Sequence, residues 1–121
     1  MLRNILTSAP RTEPLIRIYP TYISFNHPAA KLLGLKECKA VAIQQDDRDG
    51  YVYVAGCNDM KQTYGLRLRN NTFVLSNAPL CRKLAECLMG YGSYRLSRDV
   101  TTEFMGKTFY NIFINKYGKD Q

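Results

Sequence analysis

Thiols and a single imidazole are the side chains of this chain best suited to nucleophilic or metal chemistry. The four cysteines, Cys38, Cys57, Cys81 and Cys87, are spaced by 19, 24 and 6 residues, so none belongs to a CxxC pair that grips a metal from a tight turn. Because His27 is the one histidine, a zinc-binding His cluster is excluded. A Cys–His couple through His27 stays open, although this residue directly precedes a proline at a predicted helix start. We expect reduced cysteines, no metal and no cofactor.

Paired carboxylates and phosphate-binding loops are the other patterns that support catalysis. Residues 46–49 contain three aspartates, but the stretch has the composition of a turn, where exposed aspartate is usual. Residues 90–92 form a lone Gly-x-Gly after a predicted helix, the wrong context for a nucleotide loop. The chain has no GxxxxGK[ST], GxSxG or HExxH motif. The sequence therefore predicts no catalytic residue, no small-molecule substrate and a non-enzymatic role.

The composition limits the class of protein. The 121 residues include 17 basic and 10 acidic side chains, for a formal net charge of +7, and 45% are hydrophobic. This is enough apolar material for a core and argues against disorder. No apolar run approaches the roughly 20 residues that cross a bilayer, and residues 1–10 lack the apolar segment of a secretory signal. We therefore expect a cytoplasmic protein with no membrane partner.

Alternating apolar and polar residues predict short strands along most of the chain. They cover residues 15–18, 21–25, 39–45, 51–55, 64–69, 72–75, 93–98 and 107–114. Asn26 and Asn77 are each predicted to cap a short helix, because an asparagine side chain accepts from the open amides of a first turn. Gly34 and Gly90 end these helices. The predicted fold class is α+β: a small antiparallel, sheet-rich domain with two short helices.

An internal repeat is suggested by two Asn-x-Pro motifs, at residues 26–28 and 77–79, which lie 51 residues apart. The order around each is strand, strand, helix, strand, strand, which predicts pseudo-repeats over residues 15–55 and 64–114. Side-chain identity between the halves is poor, so a favourable helix start used twice is the alternative. The predicted organisation is an extended N-terminal arm over residues 1–14, a single α+β domain over residues 15–114 and a polar tail over residues 115–121.

A strand, a short helix and a Leu-Gly-Leu turn follow one another within residues 21–55. The matching positions are Ile23 and Phe25 in the strand, Ala30 and Leu33 in the helix, Leu33-Gly34-Leu35 in the turn, and Val41 in the next strand. This stretch resembles the swapped-hairpin SpoVT/AbrB family. It departs from the family at Asn26, where proline is usual, and at Cys38-Lys39, where Gly-Asp is usual. The resemblance implies a DNA-binding, transcription-regulator type of fold that is often dimeric.

The positive charge is concentrated in one third of the chain. Residues 61–98 carry seven basic residues and one acidic residue, a net charge of +6, and five of the seven are arginine. Arginine suits phosphate because its planar fork donates two hydrogen bonds at once. On their strand, Arg67 and Arg69 are predicted to lie opposite buried Leu66 and Leu68. The predicted nucleic-acid-binding residues are Arg67, Arg69, Arg82, Lys83, Arg95 and Arg98.

Such a basic face predicts a non-catalytic nucleic-acid-binding protein with DNA, more than RNA, as its partner. The predicted role is a regulator, or an accessory factor of a mobile element or phage. The first alternative is a structural or protein-interaction module, such as a small assembly component, whose basic face meets an acidic partner. For the face itself, a solvated surface that binds nothing is an equal alternative. A more distant function is an enzyme that borrows its active residues from another chain. Because short strands leave sheet edges that need cover, and because of the family resemblance, we also expect a homo-oligomer, most simply a symmetric dimer.

Overall fold

The computed structural model describes residues 13–59 and 61–113, and nine strands and three helices lie within these ranges. The strands are β1 (Leu15–Ile18), β2 (Tyr22–Phe25), β3 (Ala40–Gln45), β4 (Val52–Gly56), β5 (Tyr64–Gly65), β6 (Arg67–Arg69), β7 (Thr72–Ser76), β8 (Gly92–Phe104) and β9 (Lys107–Phe113). The helices are α1 (His27–Leu33), α2 (Leu35–Cys38) and α3 (Ala78–Cys87). The predicted α+β, sheet-rich class is confirmed. The polar tail and all but the last two residues of the predicted arm lie outside the described residues.

Both predicted asparagine caps are present. The Asn26 side-chain oxygen accepts hydrogen bonds from the amides of Ala29 and Leu15, each at 2.9 Å, and its Nδ2 donates to the Glu13 carbonyl at 2.9 Å. Asn77 accepts from the amide three residues further on, at 3.0 Å. Asn26 therefore does more than start α1. Two of its three bonds, with Leu15 and Glu13, also fix the entry of the chain into β1.

The helix count differs from the prediction, since α2 is a third, four-residue helix. Gly34, with φ 66°, ends α1, and its carbonyl accepts from the amides of Glu37 and Cys38 to open α2. Lys39, also left-handed with φ 57°, ends α2. A helix of one turn shows no apolar periodicity, so no local pattern indicated it after the Leu-Gly-Leu turn.

All nine strands join one antiparallel sheet in the order β5-β3-β4-β9-β8-β1-β2-β7-β6. The two ends of this order, β5 and β6, are separated in the chain by Leu66 alone. The Leu66 amide donates to the Lys39 carbonyl at 3.0 Å, after which the chain pairs with β7 instead of β3. The sheet therefore nearly closes into a barrel. Its edges are short, so they give little support to the predicted dimer, which stays a prediction.

The two halves of the chain have the same topology. Exchanging β1 with the β5–β6 stretch, β2 with β7, β3 with β8 and β4 with β9 leaves the set of neighbouring strands unchanged. Under this exchange the β2–β7 pair and the β4–β9 pair each stay the same pair. The strand order therefore has a two-fold symmetry that relates the two halves, with these two pairs at its centres. The predicted strand–strand–helix–strand–strand order is present in each half, with α2 as an addition to the first. Descent of the halves from one duplicated unit stays a prediction.

Apolar side chains on the inward side of the sheet form the main core together with one side of each longer helix. Helix α3 packs against β1 and β2, and β3 and β4 contribute on the other side of the barrel. Its members at most 2% exposed are Ile16, Ile18, Ile23, Phe25, Ala29, Leu35, Val41, Val52, Val54, Leu75, Cys81, Leu96 and Ile112. Residues from both halves therefore meet in one core. No helix in the described ranges is long and apolar enough to span a membrane.

The strand predicted over residues 93–98 continues as β8 for 13 residues. Its register with β9 is regular as far as Ser97 and resumes at Thr101, so residues 98–100 bulge out of the ladder. The Ser97 hydroxyl accepts hydrogen bonds from two amides of this bulge. A bulge breaks the period-two pattern on which the prediction relied, which explains why the strand was predicted to end too early.

The end of α1 closely approaches β4 at Gly56. A Cβ there would lie 1.8 Å from the carbonyl oxygen of Leu33, whereas a Cβ at Gly65 in β5 would have nothing within 4 Å. Gly56→Ala should lower the free energy of unfolding by about 3 kcal/mol, since overpacking against backbone forces the helix to move. Gly65→Ala should change it by less than about 0.5 kcal/mol. Urea unfolding of both variants is the measurement; equal stability would refute the close approach.

The two caps give a second stability prediction. Asn77→Ala removes one hydrogen bond and should cost about 1 kcal/mol, as for an ordinary cap. Asn26→Ala removes three bonds and leaves the Leu15 amide without its acceptor, so it should cost about 3 kcal/mol. Asn26→Asp keeps the acceptor and should recover part of the loss. Thermal and urea unfolding of the three variants test the ranking, and equal losses for the two alanine variants would contradict it.

Candidate nucleic-acid interface

Cross-strand register places arginines from distant parts of the chain on one face of the sheet. Arg17 on β1 lies opposite Ser24 on β2, Ser24 lies opposite Val74 on β7, and Val74 lies opposite Arg67 on β6. Directly opposed residues of antiparallel strands point to the same side. Arg17 and Arg67 therefore belong to one row on the outward side, away from the core.

Two further arginines complete this surface. Arg95 on β8 lies opposite Leu15, two residues before Arg17 on β1, and Arg69 lies two residues beyond Arg67 on β6. A two-residue step along a strand returns to the same face. Arg17, Arg67, Arg69 and Arg95 thus form what we call the outer arginine face. They lie on β1, β6 and β8, and the face spans the five neighbouring strands from β8 to β6.

Stacked tyrosines hold two of these guanidinium groups. The rings of Tyr19 and Tyr22 stack with centroids 4.3 Å apart and planes at 20°. The Arg17 guanidinium carbon lies 5.6 Å from the Tyr19 centroid, and that of Arg69 lies 5.3 Å from the Tyr22 centroid. We call this set the arginine–tyrosine ladder. A guanidinium stacked on a ring is oriented while its in-plane N–H donors stay available for an anion.

The other two guanidinium groups have polar or ring partners of their own. Arg95 forms an ion pair with Glu13 at 3.5 Å, and its guanidinium carbon lies 4.9 Å from the Phe113 centroid. Arg67 donates to the Ser76 hydroxyl at 3.5 Å. The ion pairs in the described part of the chain include none at Arg17, Arg67 or Arg69. Within the described residues, three of the four positive charges therefore have no carboxylate at ion-pair distance.

The predicted site residues do not all belong to this face. Arg82 and Lys83 are exposed on α3, whose buried side packs with the inward residues of β1 and β2. Arg98 lies in the β8 bulge, where the ladder register is interrupted. The structure thus brings together Arg67, Arg69 and Arg95, and it places the other three elsewhere.

The prediction for the leucines of this segment is partly wrong. The predicted orientation is right. Leu68 pairs with Phe73 and points to the inward side of the sheet, whereas Arg67 and Arg69 point to the outward side. The predicted burial of Leu68 is wrong, since 61% of its surface is exposed. The reason is that β6 has left β3 at this point, so the sheet is open beside it. Leu66 is half-buried.

Sequence reasoning missed Arg17 and the two tyrosines. The basic face was predicted from the net charge of each segment, and Arg17 lies in a segment with little excess positive charge. The alternation Leu-Ile-Arg-Ile over residues 15–18 already indicated that Arg17 faces away from two buried isoleucines. The missing information was that β1 and β6 carry their outward arginines in one row, which depends on strand pairing between the halves.

The cluster with the most chemical character lies elsewhere, around Asp59. The Cys57 thiol donates to the Asp59 carboxylate at 3.0 Å, and Lys107 forms an ion pair with it at 3.4 Å. The thiol hydrogen bond, followed by the Lys107 charge, lowers the pKa of the Asp59 carboxyl. Because Cys57 is 1% exposed, its sulfur does not reach a substrate. In residues 13–59 and 61–113, no group of three His, Cys, Asp or Glu side chains is arranged to hold a metal.

Comparisons of the chain with protein-family models, with curated proteins and with solved structures found no match in any of the three. The resemblance to the SpoVT/AbrB family therefore stays a prediction. The residues that carry it have clear structural roles here. Ile23 and Phe25 are buried in β2, Gly34 provides the left-handed turn, and Leu35 is fully buried at the start of α2. Core packing and the turn therefore account for the residues on which the resemblance rests.

Proposed function

We propose that the protein binds nucleic acid non-catalytically, with the outer arginine face contacting phosphate groups. The observation that carries this proposal is the register that aligns Arg17 with Arg67 on one outward row. Three of the four guanidinium groups have no ion pair with a carboxylate of residues 13–59 and 61–113, and the ladder orients two of them. Preoriented, uncompensated arginines favour the binding of phosphate oxygens through charge-assisted hydrogen bonds.

The shape of the β6–β7 hairpin supports duplex DNA as the partner. Arg69 and Thr72 flank a two-residue turn at Asn70 and Asn71, both with positive φ. A two-stranded ribbon fits the major groove of B-DNA, about 12 Å wide, whereas the major groove of an RNA duplex is too narrow for side chains to read. Contacts from Arg67 and Arg69 at the groove wall would suit a regulator or an accessory factor of a mobile element.

Loss of two face arginines gives the first functional prediction. Arg67→Ala combined with Arg69→Ala should weaken binding to every duplex sequence and reduce the slope of log affinity against log salt by about 2, one per lost phosphate contact. Fluorescence anisotropy with a labelled duplex at several salt concentrations measures both quantities. Both side chains are exposed, so the unfolding free energy should change by less than about 0.5 kcal/mol per site.

The matched control is Arg82→Ala combined with Lys83→Ala, which removes the same charge from α3. It should leave the slope within about 0.5 of the parent value, because only the general field of the protein changes. Equal effects of the two double variants would show that binding has no localised face. No duplex binding by the parent at low salt would refute the proposal and favour the protein-interaction alternative.

Charge-conserving variants test the ladder separately. Arg17→Lys combined with Arg69→Lys keeps both positive charges but loses the planar groups that stack on Tyr19 and Tyr22. The salt slope should stay near the parent value, while affinity falls about tenfold, given about 0.5–1 kcal/mol for each stacked guanidinium. The same anisotropy titrations provide the measurement. Unchanged affinity would mean that the ladder contributes charge only.

A further inference from the structure

A second surface lies on the other side of β6. An open groove of about 790 Å³ runs between the β6–β7 hairpin and the two helices of the first half. Its apolar wall consists of Phe25, Ala30, Leu68 and Phe73. Arg67 and Arg69 point to the outward side of the same hairpin, so this groove and the outer arginine face are separate surfaces.

Among the described strands, β6 has a partner on one side only. β6 is the last strand in the sheet order and pairs with β7 on one side. In an antiparallel hairpin with a two-residue turn, the flanking pair Arg69–Thr72 exchanges hydrogen bonds, and so does Arg67–Val74 two residues away. The N–H and C=O of Leu68, between them, therefore point away from β7. They point to the side of β6 on which no described strand pairs, next to the groove that the Leu68 residue lines.

The charge of the rim indicates the chemistry of an occupant. Lys31 on α1 and Lys36 on α2 line the groove with Glu37 and His27. The ion pairs of the described residues include none at Lys31, Lys36 or Glu37. The described rim therefore has two ammonium groups against the one carboxylate of Glu37, a net positive charge that favours carboxylates.

We infer that this groove binds an acidic peptide in extended conformation, which adds to the open edge of β6. Its backbone would pair with the Leu68 N–H and C=O, an apolar side chain would rest on Leu68 and Phe73, and a carboxylate would approach Lys31 or Lys36. In strand addition, main-chain bonds provide affinity and alternate side-chain pockets provide specificity. Leu68 is 61% exposed without such a partner, and a bound strand would cover it.

The probe is an acetylated and amidated octapeptide of alternating glutamate and valine. Titration into the ¹⁵N-labelled full chain, followed by amide NMR, should shift the resonances of Lys31, Leu68 and Phe73. Two matched peptides test the chemistry. Replacing each glutamate by lysine should weaken binding at least tenfold, because Lys31 and Lys36 repel a basic peptide. Replacing each valine by proline should also weaken binding at least tenfold, because proline has no N–H to donate to β6.

Variants of the protein test whether the peptide binds at the groove and not at another surface. Leu68→Glu should weaken the glutamate–valine peptide at least tenfold, since it removes the apolar contact and adds a like charge. Met105→Glu is the control: Met105 is 71% exposed at the β8–β9 turn, and this variant should bind as the parent does. Arg17→Ala combined with Arg95→Ala removes two face arginines that lie away from β6. It should keep peptide binding within about threefold, which distinguishes this site from the proposed nucleic-acid face.

Several results would overturn the inference. These are no peptide binding at millimolar concentration, equal affinity for the lysine peptide, or equal affinity of Leu68→Glu and the parent with unfolding curves that show both folded. Self-association of the parent that Leu68→Glu abolishes, measured by sedimentation without peptide, would identify a second copy as the occupant instead. Displacement of the peptide by a duplex oligonucleotide, with the same shifted resonances, would assign the groove to nucleic acid.

Discussion

One stretch of chain, residues 64–69, holds the sheet together at its ends. It pairs with β3 through Tyr64 and Gly65, donates the Leu66 amide to the Lys39 carbonyl, and then pairs with β7. This change of partner brings the ends of the sheet together. One face of the sheet therefore lines the interior of the barrel and the other faces outward. The isoleucines of β1 fill the inward side, and Arg17 between them must therefore point outward.

The same change of partner has a structural cost. As β6 leaves β3, the sheet opens on one side, which exposes Leu68 and creates the groove beside α1 and α2. Exposed edge strands invite uncontrolled pairing, and charged neighbours are a common protection. Arg67 and Arg69, on either side of Leu68 in β6, place positive charge at this edge. Their charges suit two tasks, protection of the edge and contact with phosphate on the outward side.

Local patterns predicted most of the fold, because strand alternation and helix caps depend on residues close in sequence. Asn26, Asn77 and Gly34 act as expected, and the predicted strands are all present in some form. Partner strands depend on long-range contacts that no local pattern contains. That is why the splitting of the segment at Leu66, the bulge after Ser97 and the exposure of Leu68 were not predicted. The site was predicted in part for the same reason: local charge pointed to Arg67 and Arg69, but only strand pairing brings Arg17 beside them.

The most direct test of the outer arginine face is to observe its guanidinium groups during binding. Titration of ¹⁵N-arginine-labelled protein with a short DNA duplex at low salt, read on the side-chain Nε–H resonances, reports each arginine separately. We expect the resonances of Arg17, Arg67 and Arg69 to shift together and the Arg82 resonance to change little. Added salt should reverse the shifts. Shifts at Arg82 with Arg17 and Arg67 unchanged, or no shifts at all, would contradict this expectation.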